Sequence, residues 1–116
     1  MDPREGGLIE TTAGPPPAPE ETKRVTGRIL VWDPPHVFEH EWRGRLSGDN
    51  VVRYELTADG EHATILDFTH RGLSVANTRG WVPGTHAFLD RLAAHLASEP
   101  LPDWNERHAE VAPAYT

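Results

Sequence analysis

The sequence contains no cysteine. A disulfide, a thiol nucleophile and a thiolate metal site are therefore all excluded. Basic residues are also few, because 11 Lys and Arg stand against 18 Asp and Glu and give a net charge of −7. Nucleic acids and anionic membranes bind clustered Lys and Arg, so we expect neither of them as a partner.

Long apolar runs are missing as well. No stretch approaches the ~20 apolar residues of a membrane span, and no apolar segment of a signal peptide follows Met1 to Glu5. We therefore expect a cytoplasmic protein. The chain has 116 residues, of which 37% are hydrophobic, and this is enough for one domain with its own core.

The seven histidines do not follow a metal-binding motif. His36 and His40 lie four residues apart on a predicted strand, which separates them by roughly 13 Å. His86 and His95 lie more than two turns apart on a predicted helix. No serine stands in a nucleophile-elbow motif, and no glycine-rich loop is placed to bind a phosphate. We therefore expect no catalytic residue, no metal and no cofactor.

Alternating apolar and polar residues predict five β-strands, at residues 6–12, 23–32, 37–43, 51–57 and 62–70. Turn signals separate them: a proline-rich loop at 14–21, and turns at 33–35, 47–50 and 58–61. Successive strands joined by short loops predict an antiparallel meander. Glu39 and Glu41 fall on its presumed outer face, where we interpret them as solvated charge.

A helical period replaces the alternation after residue 73 and predicts a helix over residues 79–98. Pro83 and Gly84 favour an irregular first turn, or a regular helix that starts near Pro83. A second, short helix is predicted at residues 104–112. We expect one core that buries Phe68, Trp81, Phe88 and Leu92.

Five motifs follow one another between residues 6 and 96. They are Gly6-Gly7, the run from Gly27 to Pro35, the strand that ends in Trp42, the run from Thr64 to His70 with Gly72-Leu73, and Gly80-Trp81 leading into Phe88-Leu89-Asp90-Arg91-Leu92. In this order they resemble the SRPBCC (START/Bet v 1-like) superfamily, in the branch related to activators of the heat-shock protein 90 ATPase. The resemblance implies an α+β helix-grip fold, in which a curved antiparallel sheet of about five strands packs on one long C-terminal helix around an apolar cavity.

The resemblance also implies which residues line that cavity. They are Phe38, His40, Trp42, Val52, Tyr54, Leu56, Thr64, Leu66, Phe68, His70, Trp81, Phe88 and Leu92. His40, Tyr54, Thr64 and His70 would form a polar patch inside an apolar pocket, which is the usual layout of a small-molecule site. The alternative is an ordinary packed core in which each histidine has found its hydrogen-bond partners.

The chain departs from the family at its start. Members usually begin with one further strand and two short helices, whereas this chain begins where their second strand would begin. Three explanations stay open: the reading frame is called too short, the protein is a truncated member that completes itself as a homodimer, or its N-terminal residues replace the missing strand. We expect a homodimer with a truncated helix-grip domain at residues 1–98 and a C-terminal extension at residues 99–116.

Three classes of function fit these expectations. The first is non-catalytic binding of an apolar or amphipathic small molecule in the cavity. The second is a protein-interaction role like that of the chaperone-activating, stress-response branch, with Trp104 and Tyr115 as possible anchors. The third is an enzyme of the aromatase/cyclase kind, which needs an acid–base residue in the cavity, and only His40 and His70 qualify. A fold alone does not decide among them.

Overall fold

The computed structural model describes residues 1–12, 24–44 and 48–115. The chain divides into two compact units, residues 1–73 and residues 74–116. The first unit holds the strands and the second holds the helices. The division into a domain at 1–98 and an extension at 99–116 stays a prediction.

The first unit is one antiparallel sheet of five strands, arranged in the order β1-β2-β3-β4-β5. The strands are β1 at Leu8–Thr12, β2 at Arg24–Asp33, β3 at Val37–Gly44, β4 at Gly48–Asp59 and β5 at Ala63–Arg71. Each strand pairs with the next one along the chain, so the predicted meander is confirmed.

Two of the predicted turns are found at the expected places, although Asp33, Ala58 and Asp59 still belong to the strands that precede them. The chain turns after β2 at Pro34 and Pro35, where the backbone N–H of His36 donates to the carbonyl of Asp33 at 2.8 Å. It turns after β4 at Gly60, whose φ of +74° is a conformation that glycine adopts without strain.

The turn predicted at residues 47–50 is wrong for its last three residues. Gly48 already pairs with Gly44, and Asn50 pairs with Trp42, so strand β4 begins at Gly48. Pairing with a neighbouring strand outweighs the weak strand propensity of Gly, Asp and Asn. Ser47 and the predicted loop at 14–21 lie outside the described residues.

The register of the sheet places every second side chain of each strand on a common face. Ile29 of β2 pairs with His40 of β3, and His40 pairs with Val52 of β4. Ile29 and Val52 are each 1% exposed, which makes them the centre of the core of this unit. Ile9 and Val25 are also buried. Val25, Gly27 and Ile29 alternate along β2 and so share a face, and Ile9 lies on it because it pairs with Gly27.

The second unit consists of helix α1 at Val75–Leu96, helix α2 at Trp104–Val111 and a 3₁₀ turn at Ala112–Tyr115. Helix α1 begins earlier than predicted, because the Ser74 side chain accepts a hydrogen bond from the backbone N–H of Asn77 at 3.1 Å and so caps it. Pro83 lies inside this helix, so the predicted start near Pro83 is wrong. The short helix predicted at residues 104–112 is confirmed.

The buried face of α1 is lined by small residues, namely Pro83, Gly84 and Ala87. Small side chains let α2 approach closely, and the indole N–H of Trp104 donates to the carbonyl of Gly84 at 3.2 Å. Phe88 and Leu92 are 48% and 42% exposed, so the prediction that both are buried is wrong. The buried face of α1 therefore carries its small residues, and the larger apolar side chains of Phe88 and Leu92 lie beside that face.

Candidate ligand-binding face

Seven rings form a continuous cluster on one face of the sheet, which we name the aromatic face. Neighbouring ring centroids are 4.9 to 6.4 Å apart, within or near the range of favourable aromatic contacts. The rings belong to Trp32, Phe38, His40, Trp42, Tyr54, Phe68 and His70.

Cross-strand pairing brings these rings together. Phe38 of β3 pairs with Tyr54 of β4, and Tyr54 pairs with Phe68 of β5. The Phe38 and Tyr54 rings are stacked at 5.5 Å, and the Tyr54 and Phe68 rings meet edge to face at 5.2 Å. Three strands therefore contribute one row of rings across the sheet.

His40 is the most buried of the seven rings and is only 3% exposed. Its Nδ1 lies 2.8 Å from the backbone carbonyl oxygen of Glu41, which can only accept a hydrogen bond, so Nδ1 carries the hydrogen. Burial lowers the pKa of His40 below its usual 6.5. The ring is therefore neutral at pH 7, and Nε2 is an unprotonated acceptor.

His70 is oriented by Asn50, which is 4% exposed. The amide nitrogen of Asn50 donates to the carbonyl of Gly72 at 3.2 Å, and its Oδ1 lies 3.0 Å from Nε2 of His70. The amide oxygen accepts, so Nε2 of His70 carries a hydrogen. Burial, and then the charge of nearby His40, lower the pKa of His70.

The free energy of unfolding should fall as the pH drops below 6.5, the ordinary histidine value. Both histidines have lowered pKa values in the fold, so the unfolded chain binds more protons and acid favours it. This stabilisation is complete above the histidine pKa of the unfolded chain. It is lost as the pH falls through the lower histidine pKa of the folded protein. Urea unfolding of wild type and His40→Phe at pH 7.5 and 5.5 measures it, and we expect a weaker dependence in the variant. An equal dependence in both proteins would contradict the assignment to His40.

The structure brings the predicted strand residues of the site onto this one face. They are Phe38, His40, Trp42, Val52, Tyr54, Leu56, Thr64, Leu66, Phe68 and His70. The exposure of these side chains differs along the sheet: Val52 is buried, whereas Leu56 is 41% exposed. The other three predicted residues, Trp81, Phe88 and Leu92, belong to the second unit. That the whole set lines a cavity stays a prediction.

Trp32 and Asn50 also contribute to the aromatic face and are absent from the predicted set. Trp32 pairs with Phe38, after an irregularity between Ile29 and Val31 that shifts the register of β2. Sequence alternation gives no sign of such a shift. The sequence predicts Asn50 in a turn, but Asn50 lies two residues before Val52 and continues the alternation of β4.

The opposite, outer face of the sheet is occupied by ion pairs. Glu39 is buried at 9% exposure, and its carboxylate bonds Arg53 at 3.3 Å and Arg71 at 3.2 Å. Glu41 pairs with Arg43 and also accepts a hydrogen bond from the backbone N–H of Arg28 at 2.9 Å. The interpretation of both glutamates as solvated charge is therefore wrong. The long side chains of Arg53 on β4 and Arg71 on β5 reach the Glu39 carboxylate, and that of Arg43 on the same strand reaches the Glu41 carboxylate.

No group of three His, Asp or Glu side chains in residues 1–12, 24–44 and 48–115 is arranged to hold a metal ion. Across the same described part of the chain, no helix has the length and apolar character needed to cross a membrane.

Two solved structures are similar to this chain over 97% of its length. CalU16 from Micromonospora echinospora shares 23% sequence identity with a TM-score of 0.71, and the chain covers 63% of it. The protein encoded by gene BPP1335 of Bordetella parapertussis shares 26% identity with a TM-score of 0.67, and the chain covers 65% of it. The chain therefore spans less than two thirds of the length of each of these proteins.

Neither a family model nor a curated protein matches the sequence. The structural likeness establishes the fold, which is a helix-grip fold of the α+β class with a curved five-stranded antiparallel sheet and a long helix, α1, in its C-terminal part. The predicted fold class is confirmed.

Proposed function

We propose that this chain is a non-catalytic binding module that holds an apolar or amphipathic small molecule on the aromatic face. The observation that carries the proposal is the continuous cluster of seven rings on one side of the sheet. Concave, mostly aromatic surfaces with a few fixed polar groups are the usual sites of such ligands. His40, Tyr54 and His70 supply the polar groups.

The ligand best suited to this face contains a flat aromatic ring. Phe38, Tyr54 and Phe68 are part-exposed, so part of each ring is open to stacked or edge-to-face contacts. A bicyclic ligand of about ten heavy atoms gains roughly 4–5.5 kcal/mol on such a surface, which corresponds to a dissociation constant between about 0.1 and 1 mM. A larger natural ligand would bind more tightly.

Substituting leucine for Phe38 should weaken binding of 2-naphthol at least fivefold, because leucine keeps an apolar side chain but removes the ring that stacks on Tyr54. Isothermal titration calorimetry on wild type and variant measures this change. Leu8→Ala is the matched control, because Leu8 pairs with Arg28 on the outer face and is 48% exposed, and its effect should stay below twofold. An undetectable affinity of the wild type at 5 mM ligand, or equal losses in both variants, would overturn the proposal.

Membership of the branch related to activators of the heat-shock protein 90 ATPase is part of the same proposal. It is supported by the five sequence motifs between residues 6 and 96. A place in the cytoplasm likewise remains a prediction from the sequence.

A homodimer is the last part of the proposal, and strand β5 supports it. Among the described strands β5 pairs only with β4, so one side of this nine-residue strand lies at an edge of the sheet. Open edges with exposed apolar side chains favour pairing with another chain, and Ile65 on β5 is 48% exposed. A two-fold axis would let β5 pair with its own copy.

Sedimentation equilibrium at micromolar concentration should therefore give twice the monomer mass of 12.9 kDa. Ile65→Lys should shift the equilibrium towards monomer, because a lysine on an edge strand disfavours pairing of that edge with another chain. A wild-type monomer over the whole concentration range would rule out the dimer.

A further inference from the structure

The charged side chains of the sheet are confined to one side of it. On β3 and β4, the outer-face positions hold Glu39, Glu41, Arg43, Asp49, Arg53, Glu55 and Asp59, and on β5 they hold Asp67 and Arg71. On β1 and β2 the charged residues Glu10, Arg24 and Arg28 alternate in the same way with buried Ile9, Val25 and Ile29. Among the described strand residues, none on the aromatic face is Asp, Glu, Lys or Arg.

This segregation decides which charge a ligand of the aromatic face can carry. A carboxylate or phosphate held among the rings would lose its hydration and would have no cation as a partner. An isolated buried charge of this kind is strongly disfavoured. His40 does not supply the cation, because burial keeps it neutral at pH 7. An ammonium group would likewise find no carboxylate there. The face therefore favours a neutral ligand.

His40 adds a requirement for a particular polar group. Its Nδ1–H is used by the Glu41 carbonyl, and Nε2, the ring nitrogen farther from the main chain, makes no hydrogen bond to a described residue. A neutral histidine in this tautomer offers Nε2 only as an acceptor. The ring centroids of Phe38 and Tyr54 lie 4.9 and 5.9 Å from that of His40, so a ligand that contacts these two rings lies next to the His40 ring.

We propose that the aromatic face selects neutral aromatic molecules bearing a hydroxyl group, and that Nε2 of His40 accepts the hydrogen bond from this hydroxyl. This inference rests on the proposed function and narrows its ligand class. A methyl ether on the same ring system cannot donate and would leave Nε2 without its bond, while a carboxylate would bury an unpaired charge.

Three naphthalenes that share one ring system test the inference by calorimetry at pH 7.5. 2-Naphthol should bind about tenfold more tightly than 2-methoxynaphthalene, which corresponds to one charge-neutral hydrogen bond. 2-Naphthoate should bind most weakly of the three. In His40→Phe the affinity for 2-naphthol should fall to that of 2-methoxynaphthalene, while the affinity for the ether changes less than twofold.

A second measurement needs no variant and covers the case in which His40→Phe fails to fold. The ¹⁵N chemical shift of His40 Nε2 in the wild-type protein should move upfield when 2-naphthol is added, as it does for an imidazole nitrogen that begins to accept a hydrogen bond, and should stay unchanged with the ether. Equal affinities for naphthol and ether, tighter binding of naphthoate, or an unmoved Nε2 resonance would overturn the inference but leave the proposed function standing. Failure of all three compounds to bind would overturn the proposed function itself.

Discussion

Replacing Gly27 with alanine is expected to lower the free energy of unfolding by about 3 kcal/mol or more. A Cβ atom at this position would lie 2.2 Å from the carbonyl oxygen of Glu41 and 2.7 Å from its carbonyl carbon. Both atoms belong to the backbone of the neighbouring strand, so no side-chain rotation can relieve the clash. Insertion of atoms into a packed site typically costs about 1–3 kcal/mol, and a rigid neighbour raises that cost.

Gly27 also lies where the two strands approach each other irregularly. The backbone N–H of the next residue, Arg28, donates to the side chain of Glu41 at 2.9 Å, and the register of β2 shifts between Ile29 and Val31. Pushing β2 away from β3 would therefore disturb the pairing that places Ile29 opposite His40.

The same substitution at Gly80 is the control for Gly27→Ala. Gly80 lies inside α1, and nothing stands within 4 Å of a Cβ built on it. Gly80→Ala should stabilise the helix by about 0.5–1 kcal/mol, because alanine loses less backbone entropy on folding. Urea unfolding followed by circular dichroism measures both variants. A loss below about 1 kcal/mol for Gly27→Ala would show that β2 and β3 are not held this close.

Truncation of Ile29 to alanine is expected to cost about 2–5 kcal/mol, the range measured for large-to-small changes at fully buried aliphatic positions. Ile29 is 1% exposed and pairs with His40, which in turn pairs with the equally buried Val52. The cavity left by the substitution would open beside His40, in the most buried part of the aromatic face.

Leu30→Ala is the matched control, because Leu30 is the next residue of β2 and is 38% exposed. Its loss should be about 1 kcal/mol or less, since truncation there removes little buried apolar surface. The same urea titration compares the two variants. Similar losses at both positions would contradict the account of which side of β2 forms the core.

The aromatic face was predictable because its members obey a local rule. Side chains alternate along a strand, and short hairpin loops fix the register between neighbours. The pairs Phe38–Tyr54 and Tyr54–Phe68 follow from that alternation once the strands are placed. The position of Trp32 does not follow, because it depends on an irregularity in β2 that leaves no trace in the residue pattern.

The burial of Glu39 was not predictable from its neighbours in the sequence. Its partners Arg53 and Arg71 lie 14 and 32 residues further along the chain. A glutamate on an outer strand face is normally solvated, and only the cross-strand arginines change that outcome here. The alternation along a strand predicts which face a residue occupies but not the ion pairs that it makes with other strands.

The start of helix α1 was predicted four residues too late for a similar reason. Pro83 and Gly84 have poor helix propensity, and local rules place a helix end near them. The helix continues through both residues because Ser74 caps its first turn and Trp104 of α2 packs against Gly84. Tertiary contacts thus override a weak local preference.

The central claim is that small molecules bind on the aromatic face and not on the outer face. Two pairs of sequence neighbours carry methyl groups on opposite faces. Val52 and Leu66 lie on the aromatic face, and their neighbours Val51 and Ile65 lie on the outer face. The most direct measurement is a methyl NMR titration of the wild-type protein with 2-naphthol. The account predicts saturable shift changes at Val52 and Leu66 and none at Val51 and Ile65. Equal changes on both faces, or changes at Val51 and Ile65 alone, would contradict it.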